Sequence, residues 1–244
     1  MTDGLIESAR RILAEARSIV SFSGAGLSAE SGVATFRDPE TGGLWSRYDP
    51  TQLASPQGFA ADPDLVIDWY NHRRQSIATA EPNAAHRALA ARRDITHITQ
   101  NVDPLLDLAG AEDVLHLHGR IDLDRCHGGC GVSEQIDLAD PPPRRACPSC
   151  DEPMRPAVVW FGEMLPMDVF GEGERACSQC DALLVVGTSA EVYPAAGFID
   201  IARAAGASII IVNTQPSAAS RHADVELIGQ AGEILPSVLD SVPA

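Results

Sequence analysis

Four cysteines in two close pairs, Cys126/Cys130 and Cys147/Cys150, have the spacing that speaks most directly of chemistry in this 244-residue chain. Sixteen residues separate the pairs, close to the four-thiolate zinc ribbon in which two turns bring their thiolates onto one tetrahedral ion. Such a closed shell is structural rather than catalytic. The first pair is one residue wider than usual, and His127 within it is a conceivable substitute ligand. A third pair, Cys177/Cys180, fits two small apolar core residues, a redox pair or a metal site.

A second chemical signal lies at Gly24-x-Gly26-x-x-Ala29, directly after the apolar run Ile19–Phe22. A strand entering a glycine turn and then a helix leaves backbone N–H groups facing an anion, so the stretch is either a phosphate site or an ordinary tight turn. The acidic ribose partner of dehydrogenases, about 20 residues further on, is missing. Residues 37–55 instead read as a long polar loop with Gly42, Gly43, Pro50 and Pro56 as breakers, suited to a lid. His116 lies within another strand-like run, Val114-Leu115-His116-Leu117, and His118 ends it; a histidine suits proton transfer near neutral pH. Either one can equally be a core residue.

The elements that position these residues follow from periodicity. Leu5, Ala9, Ile12, Leu13 and Ala16 mark an opening amphipathic helix. Asp62-Pro63 caps a helix to about Thr79, with Leu65, Val66 and Trp69 inward, and Asn83 caps another to about Arg92. Strands are expected at 95–99, 114–117, 157–161, 183–186, 208–212 and 225–228, with helices near 166–179, 194–205 and 231–240. This alternation predicts an α/β protein with a Rossmann-like parallel sheet and helices on both faces. The stretch from 121 to 156, poor in apolar residues and rich in cysteine and proline, needs a staple. It reads as an inserted zinc-ribbon module (121–156). The cofactor loop and helical insertion take 37–80, and the main domain takes 1–36, 81–120 and 157–244.

Apolar residues make up 45% of the chain and the formal charge is −16; all 18 basic residues are arginine. The acidic balance argues against direct nucleic-acid binding and favours solubility or a basic protein substrate, although base composition could also produce it. No run of 18 apolar residues predicts a membrane span, and no signal core precedes Arg17, so a cytoplasmic protein is expected.

Taken in order, Gly24-Ala25-Gly26-Leu27-Ser28-Ala29-Glu30-Ser31-Gly32 through Phe36-Arg37, Thr99-Gln100-Asn101-Val102-Asp103, His118-Gly119, the paired cysteines, Val159-Trp160-Phe161-Gly162-Glu163 and Val186-Gly187-Thr188-Ser189 resemble the sirtuins. The resemblance runs from about Ile19 to Gly232. It implies NAD-dependent removal of acyl groups from protein lysines, releasing nicotinamide and 2′-O-acyl-ADP-ribose, with NAD as co-substrate and one structural zinc ion per chain. Carried over by position, Gly24, Ala25, Gly26 and Ser28 cradle phosphate, Phe36 covers the ribose and Arg37 contacts NAD. Gln100, Asn101 and Asp103 hold the nicotinamide end; Gly187, Thr188, Ser189, Asn213 and Ala231 complete the cofactor site. His118 is the general base, and Val159, Phe161 and Gly162 pair with the substrate backbone by strand addition. Pro104 and Leu106, after the Asn101-x-Asp103 run, and Ala34 depart from the family pattern.

Tyr70 and Arg73, at i and i+3, resemble the pair that binds the distal carboxylate in the desuccinylase and demalonylase branch. A guanidinium fork beside a phenol suits a carboxylate, though a packing tyrosine and a surface arginine have the same spacing. Ala54 leaves room for a longer acyl chain. The resulting expectation is a deacylase preferring succinyl- or malonyl-lysine, with deacetylation possible; the alternatives are a protein mono-ADP-ribosyltransferase or a non-catalytic NAD or ADP-ribose sensor. The sequence leaves the oligomeric state open, a monomer being compatible with it.

Overall fold

The structure is a computed structural model that describes residues 2–35 and 49–239. It opens with helix α1 (Thr2–Glu15), strand β1 (Ile19–Ser23) and the short helix α2 (Gly26–Ala29). The helical insertion holds α3 (Pro50–Leu53), α4 (Pro56–Ala61) and α5 (Pro63–Ala78). After it come α6 (Ala84–Ala90), β2 (Ile95–Thr99), α7 (Leu105–Leu108) and β3 (Leu115–His116). The small module contains β4 (Gly119–Cys126), β5 (Ser133–Gln135) and β6 (Met154–Val158). The chain ends with α8 (Met167–Gln179), β7 (Ala182–Val186), α9 (Gly197–Ala204), β8 (Ser208–Asn213), β9 (Val225–Ile228) and α10 (Ala231–Leu239).

Six of these strands form one sheet in the order β3-β2-β1-β7-β8-β9, and every pairing is parallel. All five residues of β1 and of β7 are buried, as expected for central strands covered on both faces. Successive side chains point to opposite faces. Leu184 and Val186 therefore join α1, α6 and α10 in one core, while Leu183 and Val185 join α8 and α9 in another. The buried serines of β1 are satisfied across the sheet: Ser21 Oγ meets His97 Nδ1 at 2.8 Å, and Ser23 Oγ donates to Thr99 Oγ1 at 2.9 Å. Cys177 and Cys180 are both buried in the second core, where burial pushes their thiols up to about 12 and about 11. That environment suits the packing role.

Three expectations change. The segment 157–161 does not join the parallel sheet: β6 ends at Val158 and pairs antiparallel with β4. It is the return leg of the module, and its apolar Val158 and Trp160 serve a third core shared with the helical insertion. Pro50 and Pro56, read as breakers, each open a short helix, because Asp49 and Ser55 supply the caps and proline loses no helical bond in a first turn. On α5, Val66 and Trp69 face inward as expected, joined by Ile67, Tyr70 and Ile77, whereas Leu65 is exposed.

Fully buried Arg74 joins α5 to β4, donating to Ile121 O at 2.8 Å, Leu123 O at 3.2 Å and Asp124 Oδ1 at 2.7 Å. The tie fastens the insertion to the module by polar contacts as well as by the shared core.

Candidate active site

The strand order reverses direction at the junction of β1 and β7, the place where open α/β sheets bind ligands beyond their carboxyl ends. Two glycine turns meet there. The Gly24 N–H donates to Val186 O at 3.0 Å and the Gly26 N–H to Gly187 O at 2.8 Å. A Cβ on Gly26 would lie 2.7 Å from Gly187 Cα, and Gly187 has φ +58°. Both glycine N–H groups of the first turn are thus spent within the protein. Gly24 and Gly26 let two backbones touch, and the anion is left to other groups of the turns.

Around this contact lies a cleft of about 1450 Å³. Gly24, Ala25 and Gly26 border it after β1, Gln100 and Asn101 after β2, and His118 after β3. Gly187, Thr188 and Ser189 border it after β7, Asn213 at the end of β8 and Ala231 at the start of α10. Val159, Phe161 and Gly162 form its wall toward the module, with Ala54 from the insertion. Thr188 is fixed by its neighbours: its Oγ1 accepts from Gln100 Nε2 at 3.0 Å, and its carbonyl accepts from Asn213 Nδ2 at 3.1 Å. Glu30, also on the rim, accepts the Gly232 N–H at 2.8 Å and so caps α10.

Ser28 and Asp103 are placed differently from expectation. Neither is among the described residues lining the cleft; both are buried just behind it. Ser28 Oγ donates to Asp103 Oδ1 at 3.2 Å and accepts from Asn101 Nδ2 at 3.1 Å. His86 Nε2 completes the set at 3.3 Å. The Asn83 N–H donates to His86 Nδ1, so Nε2 carries the imidazole proton and Ser28 accepts it. Burial holds His86 neutral, down at about 4, and pushes the Asp103 carboxyl above its usual range. Ser28 therefore orients Asn101 and Asp103, and no phosphate contact is needed to explain it. His86 was not foreseen; its position three residues after the helix cap Asn83 was the available signal.

The two histidines of the 116–118 run separate clearly. Both nitrogens of His116 face acceptors, Asn101 O at 3.2 Å and Asp107 Oδ2 at 2.9 Å, and Arg120 pairs with the same Asp107. It is a structural link. His118 lines the cleft and donates Nδ1–H to Gln100 O at 3.0 Å, which leaves Nε2 as the basic nitrogen. Burial lowers its pKa, so the imidazole is neutral at pH 7.

Tyr70 and Arg73 share the buried face of α5. Tyr70 Oη accepts from Trp160 Nε1 at 3.0 Å, and the Arg73 guanidinium lies 4.8 Å from the Trp69 ring centre and 5.7 Å from that of Tyr70. Neither is among the described residues lining the cleft, whereas their neighbours Ala54 and Trp160 are. Burial lowers the Arg73 pKa, opposed by Tyr70 and Asp103. Phe36 and Arg37 lie outside the described residues, as does most of the 37–55 loop.

Sulfur atoms of Cys126, Cys130, Cys147 and Cys150 all lie within 4.8 Å of one another, with two of the contacts at 3.5 Å. Thiolates about 2.3 Å from a tetrahedral zinc ion sit about 3.8 Å apart, so the cluster fits that ion. His127 stands outside it, with its ring centre 5.0 Å from that of Phe59.

Comparison with known proteins gives this arrangement its place. The Sir2 family model matches residues 24–194. NAD-dependent protein deacylase 1 of Pseudomonas aeruginosa is 47% identical over 242 residues, covering 93% of this chain and 95% of its own. A mutant Sir2 homologue in complex with ADP-ribose superposes with TM-score 0.91 at 41% identity, covering 96% of this chain and 95% of that one. A Sir2 protein bound to a myristoylated histone peptide gives TM-score 0.76 at 33% identity, with 98% and 96% covered. A family match over well more than half its length, on a fold shared with these structures, makes this chain a member of the Sir2 family.

Proposed function

We propose that this protein is an NAD-dependent protein-lysine deacylase that prefers acyl groups ending in a carboxylate, succinyl and malonyl, over acetyl. The deacylase reading rests on family membership and above all on His118, a neutral, half-buried histidine on the cleft whose free nitrogen is Nε2. NAD supplies the electrophilic ribose carbon that accepts the acyl oxygen as nicotinamide leaves. The chain's task is to bind, orient and deprotonate. The Gly24–Gly26 and Gly187–Ser189 turns form the floor at the phosphates. Asn101 faces the nicotinamide end, held from behind by Ser28, which Asp103 anchors in turn, and His118 Nε2 takes the proton of a ribose hydroxyl. The Val159–Gly162 segment offers its backbone to the acyl-lysine peptide. Zinc, held by Cys126, Cys130, Cys147 and Cys150, keeps the module folded and takes no part in the reaction. A four-thiol site suits a reducing compartment, and we place the protein in the cytoplasm.

The acyl preference is supported by Arg73, a guanidinium buried against two aromatic rings within the core that also holds cleft-lining Ala54 and Trp160. The planar fork of a guanidinium matches a carboxylate in charge and in hydrogen-bond geometry. Two otherwise identical peptides, succinyl-lysine and acetyl-lysine, incubated with NAD and followed by mass spectrometry, test both parts. Desuccinylation should be faster, and Arg73→Met should reduce it about tenfold or more beyond its effect on deacetylation. Equal losses would discard the carboxylate pocket and keep the deacylase.

A further inference from the structure

Glu163 stands at the edge of the cleft and gathers an unusual number of donors. Its Oε2 accepts the Trp160 N–H at 2.9 Å and Arg125 Nη2 at 3.0 Å, and its Oε1 accepts from Arg155 Nη2. The Glu163 N–H returns to Trp160 O at 3.0 Å, closing a tight turn over residues 160–163. Arg155, almost fully buried on β6, also lies 3.8 Å from the Trp160 ring centre and donates to Val158 O at 3.1 Å. Arg125 comes from β4. One carboxylate thus joins both long strands of the module to the turn that follows β6.

The same segment reaches three other parts of the site. The Val159 N–H donates to the carbonyl of His118 at 2.9 Å, and the Phe161 N–H to the carbonyl of Ala54 at 2.8 Å. Trp160 Nε1 donates to Tyr70 Oη. A shift of this turn would disturb the catalytic histidine's backbone, the acyl-facing Ala54 and the phenol of α5 together.

We propose that Glu163 is a positioning residue for the peptide substrate: its ion pairs with Arg125 and Arg155 clamp the Trp160–Glu163 turn and so fix the Val159–Gly162 segment in the place and geometry that pair with the peptide. The proposal rests on reading Val159–Gly162 as the peptide-pairing segment. A preformed edge binds without first paying the entropy of ordering, so the clamp acts on peptide affinity. The dinucleotide floor, built from the β1 and β7 turns, does not depend on it.

Binding of a fluorescent succinyl-lysine peptide in the presence of ADP-ribose, read by anisotropy, tests this apart from turnover, with ADP-ribose affinity measured by calorimetry on the same zinc-loaded proteins. Glu163→Ala should weaken peptide binding by about tenfold or more and leave ADP-ribose binding within about twofold. Glu163→Gln keeps an acceptor for the Trp160 N–H and should fall between. Arg125→Met, at a partly exposed position, should weaken the peptide in the same direction. Unchanged peptide affinity in these variants overturns the clamp, as does a parallel loss of peptide and ADP-ribose; if Glu163→Ala fails to fold, the other two variants decide. A wild-type protein that binds the peptide without deacylating it removes the proposed activity and leaves the clamp to be judged by binding.

Discussion

The proton inventory of His118 dictates a pH profile. Its Nδ1–H is held by the Gln100 carbonyl and burial disfavours the imidazolium, so its pKa lies below the ordinary 6.5. The base form therefore survives to lower pH than a free imidazole would allow. The acid limb of kcat/KM should have its midpoint below 6.5, and His118→Ala should lose about 10²–10⁴-fold in rate while ADP-ribose still binds. A midpoint above 7 would assign the limb to another group. At this scale the candidate base was visible in the sequence, since His118 follows a strand and precedes Gly119. Its tautomer was not, because that depends on a carbonyl eighteen residues away in sequence. The same holds for Ser28: the motif announced a polar residue at the turn, and only packing turned it inward to Asn101, Asp103 and His86.

Among the elements, the two turns at the sheet's switch point bear the strictest demand. Gly187 has φ +58°, and a Cβ there would lie 2.4 Å from the Leu27 nitrogen. Gly187→Ala should cost about 1–3 kcal/mol of stability and weaken ADP-ribose binding sharply, as read by urea denaturation and calorimetry. Gly171→Ala, in the interior of α8 with nothing within 4 Å of its added methyl group, should raise stability by about 0.5–1 kcal/mol in the same assay. If both changes had the same sign, backbone conformation would not be what separates the two sites. Strands of the large sheet were legible because buried parallel strands are continuous apolar runs. The run 157–161 shares that composition, so composition alone could not show that its partner is β4.

At the level of the whole molecule, the module and the dinucleotide sheet are separate stability problems joined at few places. The module's own apolar cluster holds only Cys126, Cys147 and Met154 among its buried residues, so metal has to stand in for a core. Metal analysis should give one zinc per chain. Removal by a strong chelator should abolish deacylation and peptide binding while ADP-ribose binding persists, because the large sheet has two cores of its own. Loss of ADP-ribose binding at the same chelator concentration would mean that the sheet, too, depends on the ion.

Local chemistry was written in the amino-acid order: the four-thiolate site, the glycine turns, the α/β alternation and the candidate base all follow from residue types at short spacing, where geometry is set by the chain itself. Tertiary structure alone decided which residues became neighbours across long separations. Arg74 on Asp124, Arg155 and Arg125 on Glu163, and His86 on Ser28 are pairings of charge and hydrogen-bond capacity that many other partners in the sequence could have met equally well. Burial selects among them, because a polar group taken out of water must find a partner where the fold has placed it.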